Sequence, residues 1–137
     1  MLKFKTADIE RQWKENMLDG RLALAVWALV GFVAHHFGKD LTITDLWRSR
    51  EEAKRLNAIQ KLPESRVSPH EAWRAVDFRV ADFDAIELAK MQRIISDGLH
   101  YGGPRPVWYG AAHGTAPHVH LQVGHDPSFD MTKGDGA

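Results

Sequence analysis

The chain has 137 residues, 44% of them hydrophobic, with 18 basic and 18 acidic side chains and no cysteine. That length and apolar content suit one domain with one core, and the cancelled charge leaves no overall field toward nucleic acid or an anionic membrane surface. Without cysteine there are no disulfides, thiolate ligands or thiol nucleophiles, so any metal must be held by nitrogen and oxygen.

Met1 to Asp8 runs into charged sequence without the apolar stretch and cleavage site of a secretory signal, so cytoplasmic synthesis without signal-directed export is expected. Thr6 or Asp8 gives a helix cap signal, and Ile9, Trp13 and Met17 follow at four-residue spacing as one apolar stripe, interrupted at Asp19-Gly20. A second helix is predicted from about Arg21 to Phe37, apolar on nearly every side, stopped by Gly38 and central to the core. Its apolar run, Leu22 to Ala34, is thirteen residues. A span of the hydrocarbon layer needs about 20, so the reading is a buried helix with no membrane insertion.

Leu41 to Trp47 is rich in β-branched residues and predicts a strand ending near Arg48; Ser49 to Asn57 predicts a short capped helix. Gln60 to Pro69 is a loop that delivers His70. Ala75 to Val80 alternates, with Val76, Phe78 and Val80 on one face and Ala75, Asp77 and Arg79 on the other. Asp82 or Asp84 caps a helix through Ile86, Leu88, Met91, Ile94 and Ile95, closed by Asp97-Gly98. Tyr101 to Pro106 is a turn-rich loop before a short strand over Val107 to Gly110. In the closing strand Val119, Leu121 and Val123 share one face and His118, His120 and Gln122 the other. Residues 1–123 are taken as one domain whose part over 1–38 is helical, and 124–137, without any period, as a loosely held tail.

The chemistry concentrates in two stretches. Ser68 to Phe78 sets His70 and Asp77 seven residues apart, and Ala116 to Val123 answers with His118 and His120 on one strand face. Imidazole nitrogen and carboxylate oxygen in this combination suit a borderline divalent ion, read as zinc, with His70 and Asp77 joined by one histidine of the H-x-H pair. His35, His36, His100 and His125 are read as ordinary surface or core histidines. Arg48 can pair with Glu51 or Glu52, Trp73 and Trp108 can be core, cover or lining of a substrate groove, and Ser68 can be a turn residue or a partner behind the ligands.

These residues resemble the zinc D,D-carboxypeptidases and phage L-alanyl-D-glutamate endopeptidases that cut peptidoglycan stem peptides, a fold shared with the Hedgehog signalling domain. The motif S-x-H-x-x-G-x-A-x-D is met by Ser68, His70, Ala75 and Asp77 in register, with Trp73 in place of the usual Gly. Ile43 to Ser49 looks like the family's strand ending in an aromatic-Arg-Ser turn, and Pro117-His118-Val119-His120 is similar to its closing strand. The resemblance runs over roughly Leu41 to Val123. It implies an α+β fold in which a small antiparallel sheet carries the zinc site and packs against helices. It also implies that His120 is the third zinc ligand, that His118 faces substrate or handles protons, and that Arg48 sits over the scissile carbonyl.

Active members place Asp or Glu three residues before the last ligand; here that position holds Pro117 counting from His120, or Thr115 counting from His118. Proton transfer in an active enzyme is then expected from His113 or His118, ahead of Glu71. The resemblance implies metal-assisted hydrolysis of peptidoglycan stem peptide. Without a leader, this suits an endolysin-type enzyme of a phage or prophage that reaches the cell wall after release. The competing expectation is a catalytically idle zinc module that binds cell-wall peptide or protein, or a structural part of a phage particle.

Overall fold

The computed structural model describes residues 1–98, 106–110 and 118–123. Within them the order is β1 (Leu2–Phe4), α1 (Ala7–Lys14), α2 (Gly20–Phe37), β2 (Leu41–Asp45), α3 (Arg50–Ile59), a 3-10 turn (Pro69–Ala72), β3 (Ala75–Arg79), α4 (Ala85–Arg93) running into a π turn (Ile94–Gly98), β4 (Pro106–Tyr109) and β5 (His118–Val123). The strands form one sheet in the order β1-β2-β3-β5-β4. β1 runs parallel to β2 and every other pair is antiparallel, so the sheet is mixed where a purely antiparallel one was expected. A three-residue strand has no measurable period, and β1 exists only through pairing Leu2 to Phe4 with Leu41 to Ile43. The part over 1–38 is therefore not wholly helical.

Local signals set the helix ends. Thr6 accepts from the Ile9 amide, Ser49 from that of Glu52, and Asp84 with Glu87 forms a reciprocal capping box. Gly38 ends α2 at φ 63, the left-handed conformation that lets the chain turn off toward β2.

The core lies between α2 and one face of the sheet. Leu22, Ala25, Val26, Leu29 and Val33 of α2 are buried with Leu41, Ile43, Val76, Phe78, Val119, Leu121 and Val123 of the strands. α4 adds Met91, and Ile95 follows in the π turn. By length and composition α2, with a mean hydropathy of 1.3, could cross a membrane, yet its buried stripe belongs to this core. The expectation of a helix buried on nearly every side is corrected: Leu24 and Trp27 are each 53% exposed. The opposite face of the sheet carries the polar residues.

Because only one stripe of α2 is in the core, its apolar residues differ in energetic weight. Leu29→Ala is expected to cost about 2–5 kcal/mol through the cavity it leaves, whereas Leu24→Ala should change stability by under about 0.5 kcal/mol. Urea unfolding, read as a shift in midpoint at constant slope, checks both.

Candidate metal centre

Strand register brings the ligand residues together. Asp77 of β3 lies opposite His120 of β5, with Arg79 opposite His118, which puts both histidines and the carboxylate on the polar face. His70 reaches the same place from the 3-10 turn. Ser68 caps that turn: its hydroxyl accepts from the His70 amide at 3.2 Å, and its own N–H donates to Glu71 Oε2 at 2.7 Å. Pro69, which has no N–H to lose, occupies the first position of the turn.

The loop before the turn is pinned from α3. Asn57 Nδ2 donates to the Arg66 carbonyl at 2.9 Å, and Arg50 Nη2 donates to the carbonyls of Glu64 and Arg66, each at 2.9 Å.

A β-bulge adds a residue that alternation had hidden. Ile43 lies opposite Phe78 and Asp45 opposite Asp77, so β2 advances two residues against one of β3. The extra residue moves Asp45 off the core face of Ile43 and onto the face of Asp77. There Asp45 forms an ion pair with Arg48, whose Nη1 also donates to Ser68 Oγ at 3.2 Å. Arg48 is thus held by Asp45 and Ser68, rather than by Glu51 or Glu52 on the next helix.

Donor geometry decides what the cluster can do. His70, Asp77 and His120 are all buried and offer ligand atoms within 4.8 Å of one another. His70 Nδ1 lies 2.7 Å from the Leu46 carbonyl oxygen, which can only accept, so Nδ1 carries the proton. Its Nε2 then turns a lone pair to Asp77 Oδ1 at 3.3 Å, and among the described residues this buried nitrogen has no hydrogen-bond partner. His120 repeats the pattern: with the Gln122 amide placed so that Oε1 faces the ring at 2.9 Å, Nε2 carries the proton and Nδ1 faces the same Asp77 Oδ1 at 2.8 Å. Two lone pairs aimed at one carboxylate oxygen repel unless a proton or a cation lies between them. Outer nitrogens tied to carbonyl-type acceptors and inner nitrogens converging on an acid is how histidine ligands are oriented for a metal ion. The cluster could hold a metal ion.

The electrostatics agree with that reading. Burial alone pushes the Asp77 carboxyl up, but His70 and His120 beside it outweigh burial and hold it well below the usual carboxylate range. Burial pushes His70 down, yet the negative charges of Asp77 and Asp45 leave it raised above the ordinary imidazole value. For His120 burial wins over the pull of Asp77, and its value is lowered. The centre therefore favours an ionised carboxylate, one neutral imidazole and one site where a proton and a metal compete.

Compared with family models, with curated proteins and with solved structures, the chain gives no match. What the site can do is therefore argued from its own residues.

Other expected site residues are spread more widely. His118 Nε2 lies 3.7 Å from Asp77 Oδ2, with its side chain 19% exposed on the solvent side of the cluster. Trp73 stacks on Trp47, their ring centroids 5.9 Å apart and planes 21° from parallel. It has φ 57, the left-handed conformation that explains why glycine suits that place in the resembled motif. Trp108 is not part of a groove: it is 7% exposed and packs edge-on to Phe78 in the core. Glu71 accepts from the Ser68 amide and from Arg50. His113 lies outside the described residues. Gln122 and the Leu46 carbonyl, which set the two histidine tautomers, were not singled out beforehand. For Gln122 a signal existed, since it shares the strand face of both histidines.

One equivalent of divalent metal should bind and raise the melting temperature, and His70→Ala, Asp77→Ala or His120→Ala should abolish this while His118→Ala retains it, as read by metal analysis and thermal melts with and without chelator. Binding needs the unprotonated Nε2 of His70, whose pKa is raised above the ordinary imidazole value, so protons compete with a metal there. Affinity is thus full in alkaline solution and lost as pH falls through the raised His70 pKa, in a titration followed by a metallochromic indicator. Gln122→Leu, which removes the acceptor behind His120, should weaken metal binding by about 10–100-fold.

Proposed function

We propose that the protein is a zinc-dependent peptidase of the D,D-carboxypeptidase and endolysin type, acting on peptidoglycan stem peptides through a Hedgehog-like fold. The observation that carries this reading is the pair of imidazoles locked by outer hydrogen bonds and converging on buried Asp77, in the register of the S-x-H-x-x-G-x-A-x-D motif. His70, Asp77 and His120 would hold the ion with two nitrogens and one carboxylate oxygen, the number of protein ligands that a catalytic zinc keeps. When bound, zinc supplies Lewis acidity that polarises a carbonyl and acidifies a water.

The remaining work falls to the chain's own groups. Arg48, fixed between Asp45 and Ser68, presents a positive charge beside His70 for the oxyanion of the cleaved peptide bond. His118, partly exposed and next to Asp77, takes the proton that an Asp or Glu takes in active members of the resembled family. The half-exposed Trp47, stacked on Trp73, offers a flat apolar surface that orients substrate on the His70 side.

One observation favours a second reading. Thr115 and Pro117 stand where an active member carries its acid, which fits a zinc module that binds stem peptide without cutting it. Cleavage of a purified stem peptide, followed by chromatography with and without chelator, separates the two. Turnover that chelator abolishes and zinc restores is expected, with His118→Ala slower by about 10²–10⁴-fold at unchanged zinc content. Zinc-loaded wild type that binds the peptide but leaves it intact selects the binding module, and an undiminished His118→Ala variant moves the proton transfer to His113.

A further inference from the structure

The outward face of α2 carries no charge. From Leu22 to Gly38 the chain has no Asp, Glu, Lys or Arg, so the side of the helix turned away from the core is apolar where a surface helix is normally polar. Gly20, Leu24, Trp27, Gly31, Ala34 and Gly38 are all exposed along that side. They follow one another at steps of four, three, four, three and four residues, the a and d spacing of a helix that packs lengthwise against another. Trp27 is held in place on this face, its ring meeting that of Trp13 edge-on with centroids 5.7 Å apart.

The face is complementary to itself. In an antiparallel pair about a two-fold axis at the level of residue 29, positions equidistant from 29 meet, so Leu24 lies opposite Ala34 of the second copy, Trp27 opposite Gly31, and Gly20 opposite Gly38. Each large side chain then meets a small one. A Cβ built on Gly31 would meet nothing within 4 Å, which leaves an open recess for an indole ring. A parallel pair would set Trp27 on Trp27 and Gly31 on Gly31, an overfilled layer next to an empty one. Antiparallel helices also place opposite ends of their dipoles side by side. A lipid surface fits less well, because Gly31 and Ala34 have nothing to insert and the balanced charge of the chain gives no attraction to anionic headgroups.

We propose that the exposed side of α2 pairs antiparallel with α2 of a second copy, forming a two-fold dimer through Leu24, Trp27, Gly31 and Ala34. The pairing does not depend on the peptidase reading. α2 has 18 residues, which makes it about 27 Å long and about 10 Å wide. Its outer side therefore offers a few hundred Å², less than the roughly 800 Å² per partner of a standard stable interface, so the dimer is weak and reversible. The glycine layers let the two axes approach to the near end of the usual separation of about 8–10 Å. α2 covers the core face of the sheet, whereas Asp77 and His120 lie on the other face, so pairing leaves both metal centres open and turned away from each other.

Sedimentation velocity of the full chain tests the pairing. Between about 1 µM and about 300 µM protein the mass is expected to rise from 15.5 kDa toward twice that value. Leu24→Glu and Trp27→Glu put a charge into the seam and Gly31→Leu fills the recess, and each should weaken association at least about tenfold, with thermal melts at low concentration showing the fold intact. Since the chain has no cysteine, orientation is read by mixing Leu24→Cys with Ala34→Cys, which should give a disulfide-linked dimer under mild oxidation that neither variant gives alone. A mass that stays at 15.5 kDa throughout, or association undiminished in all three seam variants, overturns the pairing. So does wild type that stays monomeric in solution but sediments with phosphatidylcholine vesicles through Trp27, which assigns the face to lipid. Leu24→Cys that links to itself more readily than to Ala34→Cys overturns the antiparallel arrangement.

Discussion

A carboxylate buried at the middle of a sheet is the constraint around which this molecule is arranged. Asp77 is 6% exposed, and a charge so placed is tolerated only with partners that return what water would have supplied. Those partners are His70 and His120, from a turn and a strand distant in sequence. Each is fixed in turn by an acceptor of its own, the Leu46 carbonyl and the Gln122 amide. The loop across 60–68, the capping box at Ser68 and the contacts from Asn57 and Arg50 all bear on where one imidazole stands. Most of the polar interactions between α3 and β3 can be read as support for this one acid.

Much of this was legible because it is local. Helix caps depend on residues three apart, and Thr6, Ser49 and Asp84 mark the helix starts as their side chains suggest. Alternation in β3 and β5 depends only on neighbours, which is why Asp77, His118 and His120 could be assigned to one face before any pairing was known. What lay beyond the sequence depends on contacts between distant segments. β1 is made by its partner, and the bulge in β2 exists only in relation to β3, so alternation alone does not put Asp45 beside Asp77. Trp108 could not be told from a groove residue because an aromatic ring serves a core and a binding surface equally well until its neighbour, Phe78, is known. α2 was read as buried all round because its exposed side carries Leu24 and Trp27 instead of the charged residues that normally betray a wet face.

The site also contains a local tension. Trp73 takes the left-handed backbone conformation three residues after His70, an arrangement that disfavours any side chain larger than glycine by about 1–2 kcal/mol. Its ring stacks on Trp47, and its carbonyl accepts from the Asp19 amide at 2.9 Å, at the start of α2. The turn carrying His70 is thereby tied to the helix that forms the core, and the cost of the conformation is spread over contacts on both sides. Packing in the core and orientation at the metal centre are coupled through this residue.

The alternation of β3 and β5 has a consequence for how errors in folding are handled. Val76 and Phe78 face the core from the same five-residue strand that presents Asp77 to the histidines. A slip of one residue would carry the carboxylate and an imidazole into the apolar layer and push valine and phenylalanine out of it, a state too costly to persist. Registers one residue off, with a damaged centre, are excluded by the same energy that forms the core. The two faces act as a parity check on each other, so a chain whose β3 and β5 have closed the core has also put Asp77 and His120 on the same polar face.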